Sequence, residues 1–143
     1  MTETAVLAGI RVLVVEDNML IALYIEDVLQ DLGCVVVGPV GKLDAAMRMA
    51  NDEALEAAIL DVNIRGGHVY PVAERLRARG IPFALASGYG DWAILQEFRN
   101  QPRLTKPFTT HELEALVLSL HRGQGTVEGQ GTIERIGTSP SGG

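Results

Sequence analysis

Residues 57–67 read AAILDVNIRGG, in which a short apolar run leads directly into a carboxylate, Asp61, and then into a glycine-containing loop. A run of four apolar or small residues that ends in a loop is typical of a strand covered on both faces. A carboxylate directly after such a strand lies at the edge of the sheet. The stretch therefore predicts a buried strand over 57–60 and raises the question of what Asp61 does there.

Short apolar runs and stretches with helical spacing take turns on either side of this strand. Apolar runs predict four further strands, at residues 11–15, 34–37, 83–86 and 103–105. Helical spacing predicts five helices, at residues 19–32, 43–51, 71–79, 91–98 and 110–120. Five strands that alternate with five helices predict an α/β fold, in which a parallel sheet carries helices on both faces and the crossovers are right-handed.

Three local signals support the bounds of these helices. Asn18 precedes the first helix and can cap it, and Gly33 can end it in a left-handed conformation. Thr109 and Glu112 have the spacing of a capping box before the last helix. The helix boundaries are therefore predicted by specific residues as well as by periodicity.

Composition restricts the classes of protein to which the chain can belong. Its 143 residues suffice for about one domain, and no apolar run approaches the ~20 residues of a membrane helix. The formal charge of −6 argues against nucleic acid as a partner. One cysteine, Cys34, excludes an internal disulfide, and the amino terminus lacks the features of a secretory signal. We expect a cytoplasmic protein with no membrane partner.

Polar residues stand where the predicted strands end. Glu16 and Asp17 follow the first strand, Asp61 the third, Ser87 the fourth and Lys106 the fifth. The carboxyl ends of parallel strands meet at one edge of the sheet, so these groups should converge. Carboxylates about 5 Å apart repel by roughly 3 kcal/mol at an effective dielectric of about 20, which implies a cation between them. Oxygen ligands without clustered His or Cys suit Mg²⁺.

This arrangement resembles the receiver domains of two-component response regulators. That family has an acidic pair after strand one, an aspartate after strand three, a Ser or Thr after strand four and a Lys-Pro after strand five. The resemblance covers about residues 11–121 and implies a doubly wound, flavodoxin-like three-layer sandwich with strand order 2-1-3-4-5. We expect a lead at 1–10, a receiver domain at 11–122 and a Gly/Thr/Ser-rich tail at 123–143, either disordered or docked on a partner.

The resemblance also implies a role for each residue at the sheet edge. Asp61 would be the phosphoacceptor, and Ser87 and Lys106 would contact the phosphoryl oxygens. Asp17 would bind Mg²⁺ directly and Glu16 through water. The remaining ligands of Mg²⁺ would be Asp61 itself and the backbone carbonyl of Asn63.

A narrower resemblance lies in residues 82–89, PFALASGY. This stretch is similar to the Phe-x-x-Ala-Thr-Gly-aromatic signature of a subgroup common in alphaproteobacteria, with Ser87 in place of threonine. The chain departs from many receivers at Arg103, where an aromatic switch residue usually stands. Tyr89 is the candidate replacement for that switch.

The resemblance implies a single-domain response regulator in a phosphorelay: a switch rather than an enzyme. Its phosphodonor would be a sensor histidine kinase or a histidine phosphotransferase. Its effector would bind the face formed by the fourth helix, fifth strand and fifth helix, and a homodimer is left open. Two alternatives stand beside this reading: a phosphate sink that drains a kinase, and a degenerate receiver that acts as a constitutive interaction module.

The same residues allow other interpretations. Asp61 alone could cap the following turn, and Lys106 with its proline could be ordinary surface sequence. The stretch at 38–43, GPVGKL, lacks the spacing of a P-loop. A phosphatase that forms an aspartyl phosphate would need a second acid two residues after the first, where this chain has Asn63.

Overall fold

Strands and helices alternate along the residues that the computed structural model describes, 7–88 and 96–123. The strands are β1 (Arg11–Val15), β2 (Val35–Val40), β3 (Ala57–Asp61), β4 (Asn63–Ile64), β5 (Gly67–His68), β6 (Phe83–Ser87) and β7 (Arg103–Thr105). The helices are α1 (Met19–Asp31), α2 (Leu43–Asp52), α3 (Tyr70–Ala78) and α4 (Thr110–Arg122), and a 3₁₀ turn covers Gln96–Phe98.

The main sheet is parallel, with strand order β2-β1-β3-β6-β7. When the two short strands β4 and β5 are set aside, this is the predicted order 2-1-3-4-5, so the predicted fold class is confirmed. The central strand is β3, in which Leu60 pairs with Val15 on one side and with Leu85 on the other. This register brings the carboxyl end of β3, with Asp61, beside the ends of β1 and β6.

Two apolar clusters cover the two faces of the sheet, because successive side chains of a strand point to opposite faces. Leu60 belongs to the first cluster and its neighbour Ile59 to the second. The first cluster includes residues of α2 and α3, namely Ala46, Ala50, Val72 and Leu76. The second includes residues of α1 and α4, namely Ile25, Leu29, Leu113 and Val117. The result is the expected three-layer sandwich.

The predicted helix caps are present. The Asn18 side chain accepts hydrogen bonds from the backbone N–H groups of Leu20 and Ile21, at 3.0 and 3.2 Å. The Thr109 hydroxyl accepts from the Glu112 N–H, and the Glu112 carboxylate accepts from the Thr109 N–H, which completes the capping box. A cap of this kind stabilises a helix by about 1 kcal/mol.

Strand β2 extends to Val40, beyond the predicted end at residue 37. A glycine and a proline follow Val37 and would ordinarily interrupt a strand. The strand continues because β2 is an edge strand and its register with β1 shifts: Leu13 pairs with Val37, but Val15 pairs with Val40. Gly38 permits this with a φ of +97°, and a Cβ there would lie 2.9 Å from the Val14 carbonyl oxygen.

The hairpin of β4 and β5 was not predicted. Asn63 pairs with His68, so the loop after Asp61 folds back on itself. The backbone of Arg65 also joins the hairpin to the start of α2, because the Leu43 N–H donates to the Arg65 carbonyl at 3.0 Å and the Arg65 N–H donates to the Gly41 carbonyl at 3.2 Å. These bonds fix the course of the chain next to Asp61.

The predicted helix at 91–98 lies outside the described residues except for its last turn, which is the 3₁₀ turn at Gln96–Phe98. The predicted tail lies outside them beyond Gly123. Within the described ranges, no helix has the length and apolar content needed to cross a bilayer.

Cys34 should be nearly inert in the folded protein. Its thiol is buried, and burial raises its pKa from 9.0 to about 11. Since the thiolate is the reactive form, native protein should react with a disulfide reagent at least about a hundredfold more slowly than protein unfolded in urea. A native rate within a few-fold of the unfolded rate would contradict this burial.

Candidate functional site

The residues predicted to converge stand together at the carboxyl edge of the main sheet. Asp61 ends β3, Ser87 ends β6, and Glu16 and Asp17 follow β1. Lys106 follows β7, and its backbone N–H donates to the Ser87 carbonyl at 2.9 Å. The fold therefore gathers at one edge five residues that come from four separate parts of the sequence.

The Lys106 ammonium bridges two carboxylates. Its Nζ lies 2.8 Å from Glu16 Oε1 and 3.1 Å from Asp61 Oδ2. The two carboxylate side chains are 1% and 7% exposed and that of the lysine 19%. Ion pairs this far from water are screened little, so the ammonium holds both carboxylates in place.

Backbone N–H groups orient the same two carboxylates. Asn18 donates its N–H to Glu16 Oε2 at 3.1 Å, and Asn63 donates its N–H to Asp61 Oδ1 at 3.2 Å. Each carboxylate thus has one oxygen near the ammonium and the other bound to the loop that follows its own strand. Asp61 is consequently coupled to the hairpin as well as to the sheet.

The environment raises the pKa of both Asp61 and Lys106, yet both groups remain charged near neutral pH. Burial raises the pKa of Asp61 from 3.8 to about 6, with the hydrogen bond and negative charge of Glu16 adding to the rise and Lys106 opposing it. Burial alone lowers the pKa of Lys106, but Glu16 and Asp61 outweigh that effect and raise it. Near neutral pH the aspartate is therefore largely ionised and the lysine fully protonated.

The acidic cluster suits a divalent cation. Glu16, Asp17 and Asp61 each offer a carboxylate oxygen, and the three oxygens lie within 4.8 Å of one another. Three carboxylates against the one ammonium leave an excess of two negative charges. Only oxygen donors are present in this cluster, which is the chemistry that Mg²⁺ prefers over transition metals.

Gly41 packs closely against the backbone of the acidic pair, Glu16 and Asp17. A Cβ at this position would lie 2.9 Å from the Asp17 Cα and 3.3 Å from the Glu16 carbonyl oxygen, so the backbone that follows β2 approaches closely only because no side chain intervenes. The Gly41 carbonyl also accepts the hydrogen bond from Arg65. A single glycine therefore contacts both loops that carry the carboxylates.

Sequence reasoning located the carboxylates, Ser87 and Lys106 but missed their supports. The predicted ligand Asn63 lies in the hairpin, where its backbone N–H contacts Asp61. Tyr89 lies outside the described residues. Gly41 carried no sequence signal of its role, whereas Asn18 was already visible as a helix cap.

Several solved structures are similar to this chain along most of its length. SdrG from Sphingomonas melonis Fr1 is 42% identical, with 78% of this chain and 96% of SdrG covered and a TM-score of 0.71. A response regulator receiver protein from Sinorhizobium medicae WSM419 is 22% identical, with 81% and 97% covered and a TM-score of 0.70. PhyR from Brucella abortus is 27% identical, with 81% and 49% covered and a TM-score of 0.68. No protein-family model and no curated protein sequence matches the chain.

Proposed function

Since this chain belongs to the receiver-domain family of response regulators, which act in two-component signalling, we propose that Asp61 accepts a phosphoryl group from a phosphohistidine. The observation that carries the proposal is the bridge from the Lys106 ammonium to Glu16 and Asp61 at the carboxyl edge of the sheet. A buried carboxylate, a buried hydroxyl and a fixed ammonium at one edge form an acceptor with its charge stabilisers already in position.

The chemistry needs no general base. An oxygen of the Asp61 carboxylate attacks phosphorus, the P–N bond of the phosphohistidine breaks, and its electron pair leaves with the imidazole. The ammonium of Lys106 offsets charge on the phosphoryl oxygens, and the Ser87 hydroxyl donates a hydrogen bond to one of them. Catalysis of this kind consists mostly of positioning and electrostatics.

Glu16, Asp17 and Asp61 would hold Mg²⁺, together with the backbone carbonyl of Asn63. The bound ion would offset negative charge shared between the carboxylates and the incoming group. The fit rests on the grouping of the three carboxylate oxygens and on their excess negative charge.

The first experiment measures the intact mass of the protein after incubation with acetyl phosphate and Mg²⁺. We expect wild type to gain one phosphoryl group and Asp61→Asn to gain none, because the amide is not a competent nucleophile. The matched control is Asp27→Asn, which changes an exposed aspartate on α1 and should be phosphorylated like wild type. Phosphorylation of Asp61→Asn, or no gain in wild type from acetyl phosphate or any histidine kinase, would contradict the proposal.

We place the phosphodonor on the first turns of α1. Met19, Leu20 and Leu23 are 74%, 79% and 50% exposed, and this helix begins two residues after the acidic pair. An exposed apolar patch beside a reactive edge is characteristic of a protein contact. A histidine kinase or histidine phosphotransferase that docks there would bring its phosphohistidine close to Asp61.

Leu20→Glu should slow phosphotransfer from a histidine kinase at least about tenfold while leaving labelling by acetyl phosphate unchanged, because it places a charge in an apolar contact and changes none of the groups that carry out the reaction. Val35→Glu, which places the same charge on the exposed edge strand β2, is the control and should transfer normally. Equal phosphotransfer rates for the two variants would show that α1 is not part of the docking surface.

For the effector we propose the face that includes β7 and α4, to which the family resemblance adds the predicted helix at 91–98. Phosphorylation adds roughly −1.5 to −2 charges beside Ser87 and Lys106, which lie next to β7, and would shift this face between two arrangements. Binding of an effector to Asp61→Asn as tightly as to phosphorylated wild type would instead favour a constitutive interaction module. Kinase discharge with no phosphorylation-dependent partner would favour a phosphate sink.

A further inference from the structure

A shallow cavity of about 720 Å³ lies beside the first turns of α2, where the hairpin meets that helix. Leu43 and Met47 are the apolar residues that line it, and we call them its floor; Lys42, Arg48 and Arg65 line it as well. We call this cavity the α2 pocket. None of these residues takes part in the phosphoacceptor chemistry described above.

The floor of the α2 pocket is apolar and firmly supported. Leu43 and Met47 are only partly buried, and both pack against the core cluster that contains Ala46 and Leu60. Because their inner surfaces contact the core and their outer surfaces face the cavity, an aliphatic side chain could be buried against them. The pocket therefore offers an apolar anchor point.

The surroundings of this floor carry the opposite charge to the chain as a whole. Lys42, Arg48 and Arg65 are exposed, and among the described residues none of them forms an ion pair. The single acid of the pocket, Asp44, accepts a hydrogen bond from the Ala45 N–H. Three cations against one carboxylate give a local excess of two positive charges on a chain with a net charge of −6.

The backbone that carries two of these cations is fixed. Lys42 and Arg65 form a parallel bridge between the end of β2 and the hairpin, supported by the bonds from Leu43 to Arg65 and from Arg65 to Gly41. A partner would therefore meet cations whose backbone positions are set before binding, which reduces the entropy lost on association.

From this combination we propose that the α2 pocket is a docking site for an acidic segment of a partner protein that also presents an aliphatic side chain. The aliphatic group would lie on Leu43 and Met47, and carboxylates on either side of it would contact Lys42, Arg48 and Arg65. Charge complementarity argues for an acidic occupant, and the negative charge of the whole chain argues against nucleic acid. This contact is separate from phosphorylation of Asp61.

The test is a titration of ¹⁵N-labelled full-length protein, followed by amide chemical shifts. The probe is an acetylated peptide of alternating glutamate and leucine, and the matched peptides alternate glutamate with serine and lysine with leucine. We expect saturable shifts confined to residues 42–48 and 65–66 with the first peptide, binding at least about fivefold weaker with the second and none with the third. No saturable shifts with the first peptide, equal binding of the first two, or stronger binding of a short DNA would overturn the proposal.

Charge reversal provides the second arm. Lys42→Glu/Arg65→Glu should weaken binding of the glutamate–leucine peptide at least about tenfold, because two contacts change from attraction to repulsion. Arg75→Glu/Arg99→Glu makes the same change in net charge at exposed positions elsewhere and should weaken it less than about twofold. Equal weakening in both double variants would show that only net charge matters and would overturn a specific pocket.

Discussion

Lys106→Met should destabilise the metal-free protein by about 2 to 3 kcal/mol near neutral pH, and it should slow phosphorylation by acetyl phosphate by roughly two orders of magnitude. The substitution keeps the aliphatic bulk but removes the ammonium that lies 2.8 and 3.1 Å from Glu16 and Asp61. Two nearly buried carboxylates then face each other without a counter-ion. Urea unfolding in a chelator measures the first effect, and the time course of intact mass measures the second.

The pH dependence of this loss tests its cause. If repulsion between carboxylates is responsible, the loss should shrink as the pH falls from about 8 to about 5, because one of them can then take up a proton. The control is Lys42→Met, the same substitution at an exposed lysine, which should change stability by less than about 0.5 kcal/mol. An equal loss at both pH values would point to packing instead.

Asp61→Asn should stabilise the metal-free protein by about 1 to 2 kcal/mol near pH 7.5. Moving the pKa of Asp61 from 3.8 to about 6 corresponds to about 3 kcal/mol at most, and the gain is smaller because the amide only approximates the neutral acid. The amide has nearly the same shape and carries no charge, and Lys106 keeps its ion pair with Glu16. Urea unfolding in a chelator is the measurement.

Proton linkage explains why Asp61→Asn should be more stable than wild type near pH 7.5. The folded protein binds the Asp61 proton more tightly than the unfolded chain, so the resulting stability is fully present below about pH 3.8 and is lost as the pH rises through about 6. Wild type and Asp61→Asn should therefore diverge over this window, and Asp27→Asn should parallel wild type. A wild type that is more stable than Asp61→Asn near pH 7.5 without metal would contradict the raised pKa.

The long elements of the fold were predictable because their signals are local. The apolar run at Arg11–Val15 and the capping box at Thr109 depend on neighbouring residues, and both were placed correctly. The extension of β2 past Gly38 was not predictable, because it depends on a register shift against β1. The hairpin was missed for a related reason: strands of two residues are stabilised by their pairing and by the backbone bonds of Arg65 rather than by any apolar pattern.

The site was predictable only in part. The order of strands and the residues at their ends indicate that Glu16, Asp61 and Lys106 meet, since parallel strands share one edge. They do not indicate that Glu16 is 4% exposed or that the lysine bridges both acids. The contact of Gly41 with Asp17 is likewise invisible in sequence, because it arises from the path of the chain after the edge strand β2.

The backbone and the side chain of Arg65 have different surroundings. Its N–H and carbonyl hold the hairpin against the end of β2 and the start of α2, whereas its side chain is exposed and forms no ion pair among the described residues. Almost any residue that supplies the same main-chain groups can therefore occupy position 65 without loss of fold. In a library of all substitutions at position 65, selection for stability should therefore show little preference among residues. A strong preference under selection for signalling would then reflect the binding of another molecule.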